Sequence, residues 1–257
     1  MTVRQVFYQM VSLGAIDKTE REYKNAVDRL LNEMRRAKEL PFGWITDSTR
    51  WMRKPATFSS LKLALKRTSE VYRRSLWDNQ DAYVEIWLEK DALSGVLYGV
   101  TEEWDVPLMV TRGYSSLSFL HGAAEVIAKV DRPVFLYYFG DHDPSGEDIP
   151  RKTEADLREF APGADITFER VAVTPEQISQ MGLPTRPTKK TDSRSKGFKG
   201  ESVEVDAIPP AVLRQLAQEC ITRHIDQQQL HATKIAEASE KEIWGRITDQ
   251  LWRSASP

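Results

Sequence analysis

A single cysteine, Cys220, and only four histidines among 257 residues rule out several kinds of chemistry. One thiol excludes an internal disulfide and any cysteine-based zinc site. His121, His224 and His231 show no ligand spacing. No apolar run approaches the roughly 18 residues a membrane helix needs. The opening MTVRQVFYQM lacks the apolar stretch of a secretion signal. A cytoplasmic protein with no membrane partner is therefore expected. There is no G-x-x-x-x-G-K-[ST] phosphate loop, no internal repeat, and the seven tryptophans scatter without a pattern suited to base stacking.

What is present fits an ordinary globular chain, with 40% hydrophobic and 29% charged residues. The net charge of −2 hides an asymmetry. Residues 1–75 carry 16 Lys/Arg against 8 Asp/Glu, and the remainder 20 against 30. A basic module that docks nucleic acid, joined to a carboxylate-rich site, would show this balance. Uneven helical surfaces would show it equally.

Val3, Val6, Phe7, Met10 and Val11 recur at helical spacing and predict a helix over 3–13. Thr19 and Glu22 read as a capping box opening a second helix to about Lys38, with Tyr23, Ala26, Val27, Leu30, Leu31 and Met34 as its buried stripe. Trp44-Ile45-Thr46 can begin a short strand, with Arg50, Arg53 and Lys54 around it. Helix, turn, helix and a basic strand suggest a helix-turn-helix of the winged kind over 1–78. A further helix is expected over 59–76.

From Ala82 the pattern alternates. Strands are predicted at 83–88, 106–111, 134–139 and 166–173, with helices near 91–103, 115–129 and 151–160. Such alternation predicts an α/β fold over 79–178, a mostly parallel sheet whose chemistry sits at the carboxyl ends of its strands. The last segment, 179–257, begins with a stretch rich in Pro, Gly, Ser and Lys at 182–202, which reads as a flexible basic loop. Helices near 210–225 and 229–253 follow.

Two features stand at strand ends. Glu89 follows the first strand directly, and Asp141-His142-Asp143 follows the third before Pro144-Ser145-Gly146 turns the chain. Side chains alternate along a strand, so a D-x-D projects both carboxylates to one side. Two Asp and a Glu brought together repel one another unless a cation sits among them. Oxygen ligands without a His/Cys cluster favour Mg²⁺ or Mn²⁺. Polar loop starts would give the same residues singly. His142 is open to two readings, as a phosphate- or water-positioning group or as a loop residue facing solvent.

Glu89 followed by an α/β unit and D-H-D-P-S-G resembles a Toprim domain, the Rossmann-like metal-binding fold of topoisomerases, some primases and some nucleases. The resemblance covers about residues 80–175, with Val110–Tyr114 in place of a glycine-containing loop after the second strand. A primase is disfavoured by the lone cysteine. Thr2-Val3-Arg4-Gln5-Val6-Phe7-Tyr8 is similar to the active-site stretch of the topoisomerase VI A subunit and its meiotic double-strand-break relative, and Glu201–Ala207 resembles a late segment of that family. Winged helix before Toprim is the family's order. Its winged helix carries a further helix ahead of the T-x-R stretch, so a truncated or degenerate module is expected here.

The resemblance implies cleavage of double-stranded DNA by metal-assisted transesterification. Tyr8 would be the nucleophile, Arg4 the phosphate clamp, Asp141 and Asp143 ligands for Mg²⁺ or Mn²⁺, and Glu89 a ligand or general acid/base. It also implies a homodimer, a separate ATPase subunit and a nucleoid location. The alternatives are a Toprim nuclease whose metal activates water, and a DNA-binding protein without activity. On a helical wheel Tyr8 lies roughly 130° from the apolar stripe. Arg4, one turn earlier on the same face, would favour the phenolate.

Overall fold

A computed structural model of the chain describes residues 1–45, 54–187, 198 and 200–254. These fall into two compact units. The first takes the described residues of 1–50 and 81–223, and the second those of 51–80 and 224–257. Contacts thus group the first helices with the α/β core, a division different from the three consecutive segments expected from the sequence.

The first unit opens with α1 (Val3–Ser12). Thr2 and Gln5 cap it reciprocally. Gln5 N–H donates to Thr2 Oγ1 at 3.2 Å and Thr2 N–H to Gln5 Oε1 at 2.9 Å. At the expected box further on, Thr19 Oγ1 accepts the Glu22 N–H at 3.2 Å. The helix it starts has three parts: α2 (Glu20–Glu22), a π-helical turn (Tyr23–Asp28) and α3 (Arg29–Arg36). A wider π turn rotates everything after it relative to a regular α-helix. Of the predicted stripe, Val27 is buried, Tyr23, Ala26, Leu31 and Met34 are half-buried, and Leu30 departs from it at 52% exposed. Trp44 ends a 3-10 turn (Phe42–Trp44) rather than starting a strand. Thr46, Arg50 and Arg53 lie outside the described residues.

Four strands form one parallel sheet in the order β2-β1-β3-β4: β1 (Tyr83–Leu88), β2 (Leu108–Val110), β3 (Val134–Phe139) and β4 (Ile166–Ala172). β1 and β3 carry near-continuous apolar runs, as strands covered on both faces must. Trp87, Leu136 and Tyr138 join a buried cluster with α6 (Leu117–Ile127) and α7 (Pro144–Phe160). Ile86, Leu88, Tyr137 and Phe139, also buried, alternate to the other face. Arg223, just past α9 (Pro210–Thr222), lies over the Tyr137 ring, and α9 packs on α5 (Ser94–Glu103). Cys220 is buried in α9, and burial pushes its thiol up to about 12. Glu85 is the one carboxylate inside β1, where Tyr83 Oη and Trp87 Nε1 each donate to it at 2.8 Å.

The chain passes from β1 to β2 on one side and then crosses back past β1 to β3 on the other. That reversal opens a crevice at the carboxyl ends of β1 and β3, where α/β sheets place their ligands. The short helix α8 (Pro175–Met181) follows β4.

In the second unit α4 (Leu61–Val71) packs on α10 (Gln227–Ser254). Tyr72 Oη and Arg74 hold Glu240, each at 2.6 Å. No described helix is long and apolar enough to cross a membrane.

Candidate functional site: strand-end carboxylates and a tyrosine pocket

Register places the carboxylates. Leu88 pairs with Phe139, so the residues that follow emerge side by side. Glu89 N–H donates to Phe139 O at 2.9 Å, and Asp141 N–H donates back to Glu89 Oε2 at 3.0 Å. Gly140 makes this possible. A Cβ there would stand 2.5 Å from both Glu89 Oε2 and Tyr138 Cε1. Asp143 caps α7, its Oδ1 accepting the Gly146 N–H at 2.7 Å, and Pro144 fills the first helical position, where its missing N–H costs nothing. The helix therefore starts at 144 rather than near 151. Gly146 is required too, since a Cβ would meet Asp141 O at 1.9 Å.

Burial, then the neighbouring Asp141 charge, raises the Glu89 pKa to about 7. Burial also raises that of Asp141, against the pull of Lys90 and the Val205 N–H.

A late segment crosses over these strand ends. His142 and Val203 exchange backbone hydrogen bonds at 2.8 and 2.9 Å, and Arg186 and Ser202 do the same at 2.9 Å. Val205 N–H donates to Asp141 Oδ1 at 2.8 Å. The crossing delivers Glu204 and Asp206, and Lys90 reaches into the group: its Nζ lies 3.1 Å from Asp141 Oδ1, 3.0 Å from Glu204 Oε2 and 2.7 Å from Asp206 Oδ2. Burial opposes the Lys90 charge, but the three carboxylates outweigh it and its pKa stands above the ordinary lysine value.

α1 packs against the 3-10 turn Val205–Ala207 and so meets the same segment. Glu204 Oε2 is 3.1 Å from Arg4, and Glu204 Oε1 is 2.7 Å from Arg186. Burial alone would raise the Glu204 pKa, yet Lys90, Arg186 and Arg4 hold it at about 2. Tyr8 stands beside this carboxylate and only 2% exposed, its ring 5.3 Å from Lys18 Nζ. Arg4, Tyr8, Lys18, Tyr23, Arg186 and Glu204 line a cavity of about 310 Å³.

Five residues expected to act together, Arg4, Tyr8, Glu89, Asp141 and Asp143, thus belong to one unit. Glu204, Lys90 and Arg186 connect them, and Arg186 also lies 4.0 Å from Asp143. Two expectations need correction. Tyr8 is buried although it lies off the apolar stripe, because residues 203–207 cover the polar side of α1. Its phenol is also harder to ionise than usual: burial and Glu204 raise its pKa, outweighing Lys90 and Arg4.

Each of the three carboxylates expected to hold Mg²⁺ or Mn²⁺ has one oxygen engaged within the protein. Among the described residues no group of three His, Cys, Asp or Glu side chains is placed to hold a metal. Asp141 Oδ1 is committed to Lys90 and Val205, Asp143 Oδ1 to the helix cap, and Glu89 Oε2 to the Asp141 N–H and Tyr138 Oη. Lys90 is the cation seated against Asp141. His142 Nδ1 lies 3.1 Å from Glu147 Oε1 without hydrogen-bond geometry, and its ring faces Phe198. Burial and Arg170 lower its pKa, so the ring is neutral near pH 7.

Lys18, Lys90, Arg186, Glu204 and Asp206 were not singled out from the sequence. Glu204 and Asp206 lay within the Glu201–Ala207 stretch that carries the resemblance, but the 3-10 turn Val205–Ala207, which sets where Asp206 points, had no marker in the sequence. Lys18 carried none, and Arg186 stood only as one of the basic residues of the 182–202 loop. Comparison with protein-family models and with curated proteins finds no match.

Proposed function

We propose that this site binds and cleaves phosphodiesters of double-stranded DNA by tyrosine transesterification, in the manner implied by the resemblance to the topoisomerase VI A subunit. The α/β unit is read as a Toprim-type fold and the N-terminal helices as a reduced winged-helix module. One observation carries the proposal: the Tyr8 pocket and the strand-end carboxylates are continuous through Lys90, Arg186 and Glu204. A phenol beside three cations has what attack on a phosphodiester requires, an oxygen nucleophile and positive charge for the phosphoryl oxygens. Attack would join Tyr8 Oη to phosphorus and break the bond to one sugar oxygen, the phenolic proton passing to a carboxylate and a proton being returned to the sugar oxygen, which leaves as a hydroxyl. Glu89 is the candidate for acid/base work. One such site cuts one strand, so the reading includes a second copy of the chain, and any ATP-driven strand passage belongs to a separate subunit.

A second reading, a nuclease in which water attacks, is favoured by the burial of Tyr8 and its raised pKa. The two separate cleanly. Incubation of the full chain with duplex DNA, with Mg²⁺ or Mn²⁺ and with chelator, should give protein covalently attached to DNA ends. Tyr8→Phe removes one oxygen and should abolish both cutting and adduct while leaving DNA affinity within about twofold, since no charge is lost. Cutting by Tyr8→Phe with protein-free ends would replace transesterification by hydrolysis. No cutting by the wild-type chain under any of these conditions would overturn both.

A further inference from the structure

We infer that Lys18 and Arg186, with Arg4, form a seat for one phosphate group of the nucleic-acid backbone directly beside the Tyr8 ring. The inference rests on the proposed function and assigns two phosphate-binding residues from distant parts of the chain.

Three cations, Arg4, Lys18 and Arg186, face the cavity of about 310 Å³, and Arg4 and Arg186 share the carboxylate of Glu204. Glu204 is already bound by Arg4 at 3.1 Å, Arg186 at 2.7 Å and Lys90 at 3.0 Å. Glu20 at the rim is turned to Lys24, 3.4 Å away, and its side chain is 68% exposed. Lys18 makes no ion pair among the described residues. Its Nζ donates to Pro184 O at 2.6 Å and lies over the Tyr8 ring, which leaves two of its three protons for an anion. Arg4 and Arg186 retain side-chain exposures of 42% and 38%, so their outward N–H groups remain reachable. Three cations thus line the pocket against two carboxylates, Glu204 and Glu20, with Glu201 acting on Lys18 from nearby, and Phe7, Tyr8 and Tyr23 supply aromatic wall.

A phosphodiester supplies a single negative charge on two free oxygens, and Arg and Lys donors match those oxygens. The cavity lies within the size range of ligand sites and is bounded by groups that bind phosphate and sugar rather than read bases. Positioning of that kind carries affinity without sequence preference. Free phosphate offers the same oxygens, so the test separates the two sources.

The full-length protein is treated with a lysine-acetylating reagent alone, with inorganic phosphate, or with a duplex oligonucleotide, and acetylation at Lys18 is read by mass spectrometry. In parallel, duplex affinity is measured across a salt series for wild type, Lys18→Gln and Arg186→Gln. Glutamine at 18 keeps a donor for Pro184. The expected result is protection of Lys18 by the duplex and a roughly tenfold loss of affinity for each variant. The slope of log affinity against log salt should fall by about one per variant.

If the duplex binds the wild type tightly but leaves Lys18 unprotected and both variants unaffected, the seat is wrong and the DNA-cleavage reading survives. Protection by inorganic phosphate with no duplex binding would keep the seat but overturn its nucleic-acid ligand, and the proposed function with it. Absence of protection by either probe overturns the seat whatever the variants do, because the footprint is read on wild-type protein.

Discussion

At the strand ends, Glu89 and Asp141 are held by backbone: a register that pairs Leu88 with Phe139, a hydrogen bond from the Asp141 amide, and two glycines without room for a Cβ. Around Glu204 the arrangement rests on side chains from four separate places, Arg4, Lys18, Lys90 and Arg186. The first region is rigid because main-chain geometry leaves few alternatives. The second is rigid only while its charges balance. Backbone-built sites should fail by steric displacement, and charge-built sites by loss of a partner.

Removing the central cation tests the charge-built region most severely. Lys90→Met keeps the length of the side chain but leaves Asp206, fully buried, and the largely buried Asp141 and Glu204 short of a counterion. Breaking a buried pair from one side typically costs about 3–5 kcal/mol. Equilibrium denaturation should show a loss of that order. A change below about 1 kcal/mol would mean that the carboxylates find water or each other, and that Lys90 does not organise the site.

The backbone-built region is tested by Gly146→Ala. The added methyl would overlap Asp141 O, so the D-H-D loop must shift, at a cost of about 3 kcal/mol by analogy with overpacked cores. Wild-type stability in this variant would show that the loop yields easily. A matched loss of DNA cleavage with unchanged DNA affinity would separate the strand-end carboxylates from the phosphate seat.

Acid gives the gentlest probe. The Glu204 pKa is about 2 in the fold against 4.5 for an ordinary glutamate. Its contribution is thus fully present above the unfolded value and is lost as pH falls from about 4.5 towards 2. The effect is on the order of 2 kcal/mol. Denaturation midpoints at pH 6 and pH 3 should differ by more in wild type than in Glu204→Gln. Parallel pH curves for the two proteins would remove Glu204 from the centre of the network.

The same contrast explains what the sequence could disclose. β1 and β3 were legible to the residue, because an apolar run bounded by charged or turn residues is a local signal. The D-H-D and Glu89 followed from strand alternation, and Thr2–Tyr8 from a short motif. The second N-terminal helix was legible in its buried side, Leu30 excepted, but not in the π turn at Tyr23–Asp28, which counting at 3.6 residues per turn does not reveal. Lys18 was invisible, and Arg186 stood out only as one of six basic residues in the 182–202 loop, for a different reason. Each is an ordinary basic residue whose meaning comes from the Glu204 segment, more than 180 residues from Lys18 along the chain in one case and 18 from Arg186 in the other. The Lys90 network was missed because only the carboxylate of Glu89 was weighed at the end of the first strand.

Cys220 offers a different kind of access to this molecule. It is the sole sulfhydryl, it is 1% exposed in the layer where α9 meets α5, and its pKa of about 12 keeps it a thiol at neutral pH. A maleimide should therefore pass over the folded protein and react only during moments when that layer opens. The rate of modification becomes a clock for local unfolding on the face of the sheet opposite the α6–α7 cluster, read without introducing any label. A reporter cysteine placed elsewhere on the surface would then answer for its own position alone.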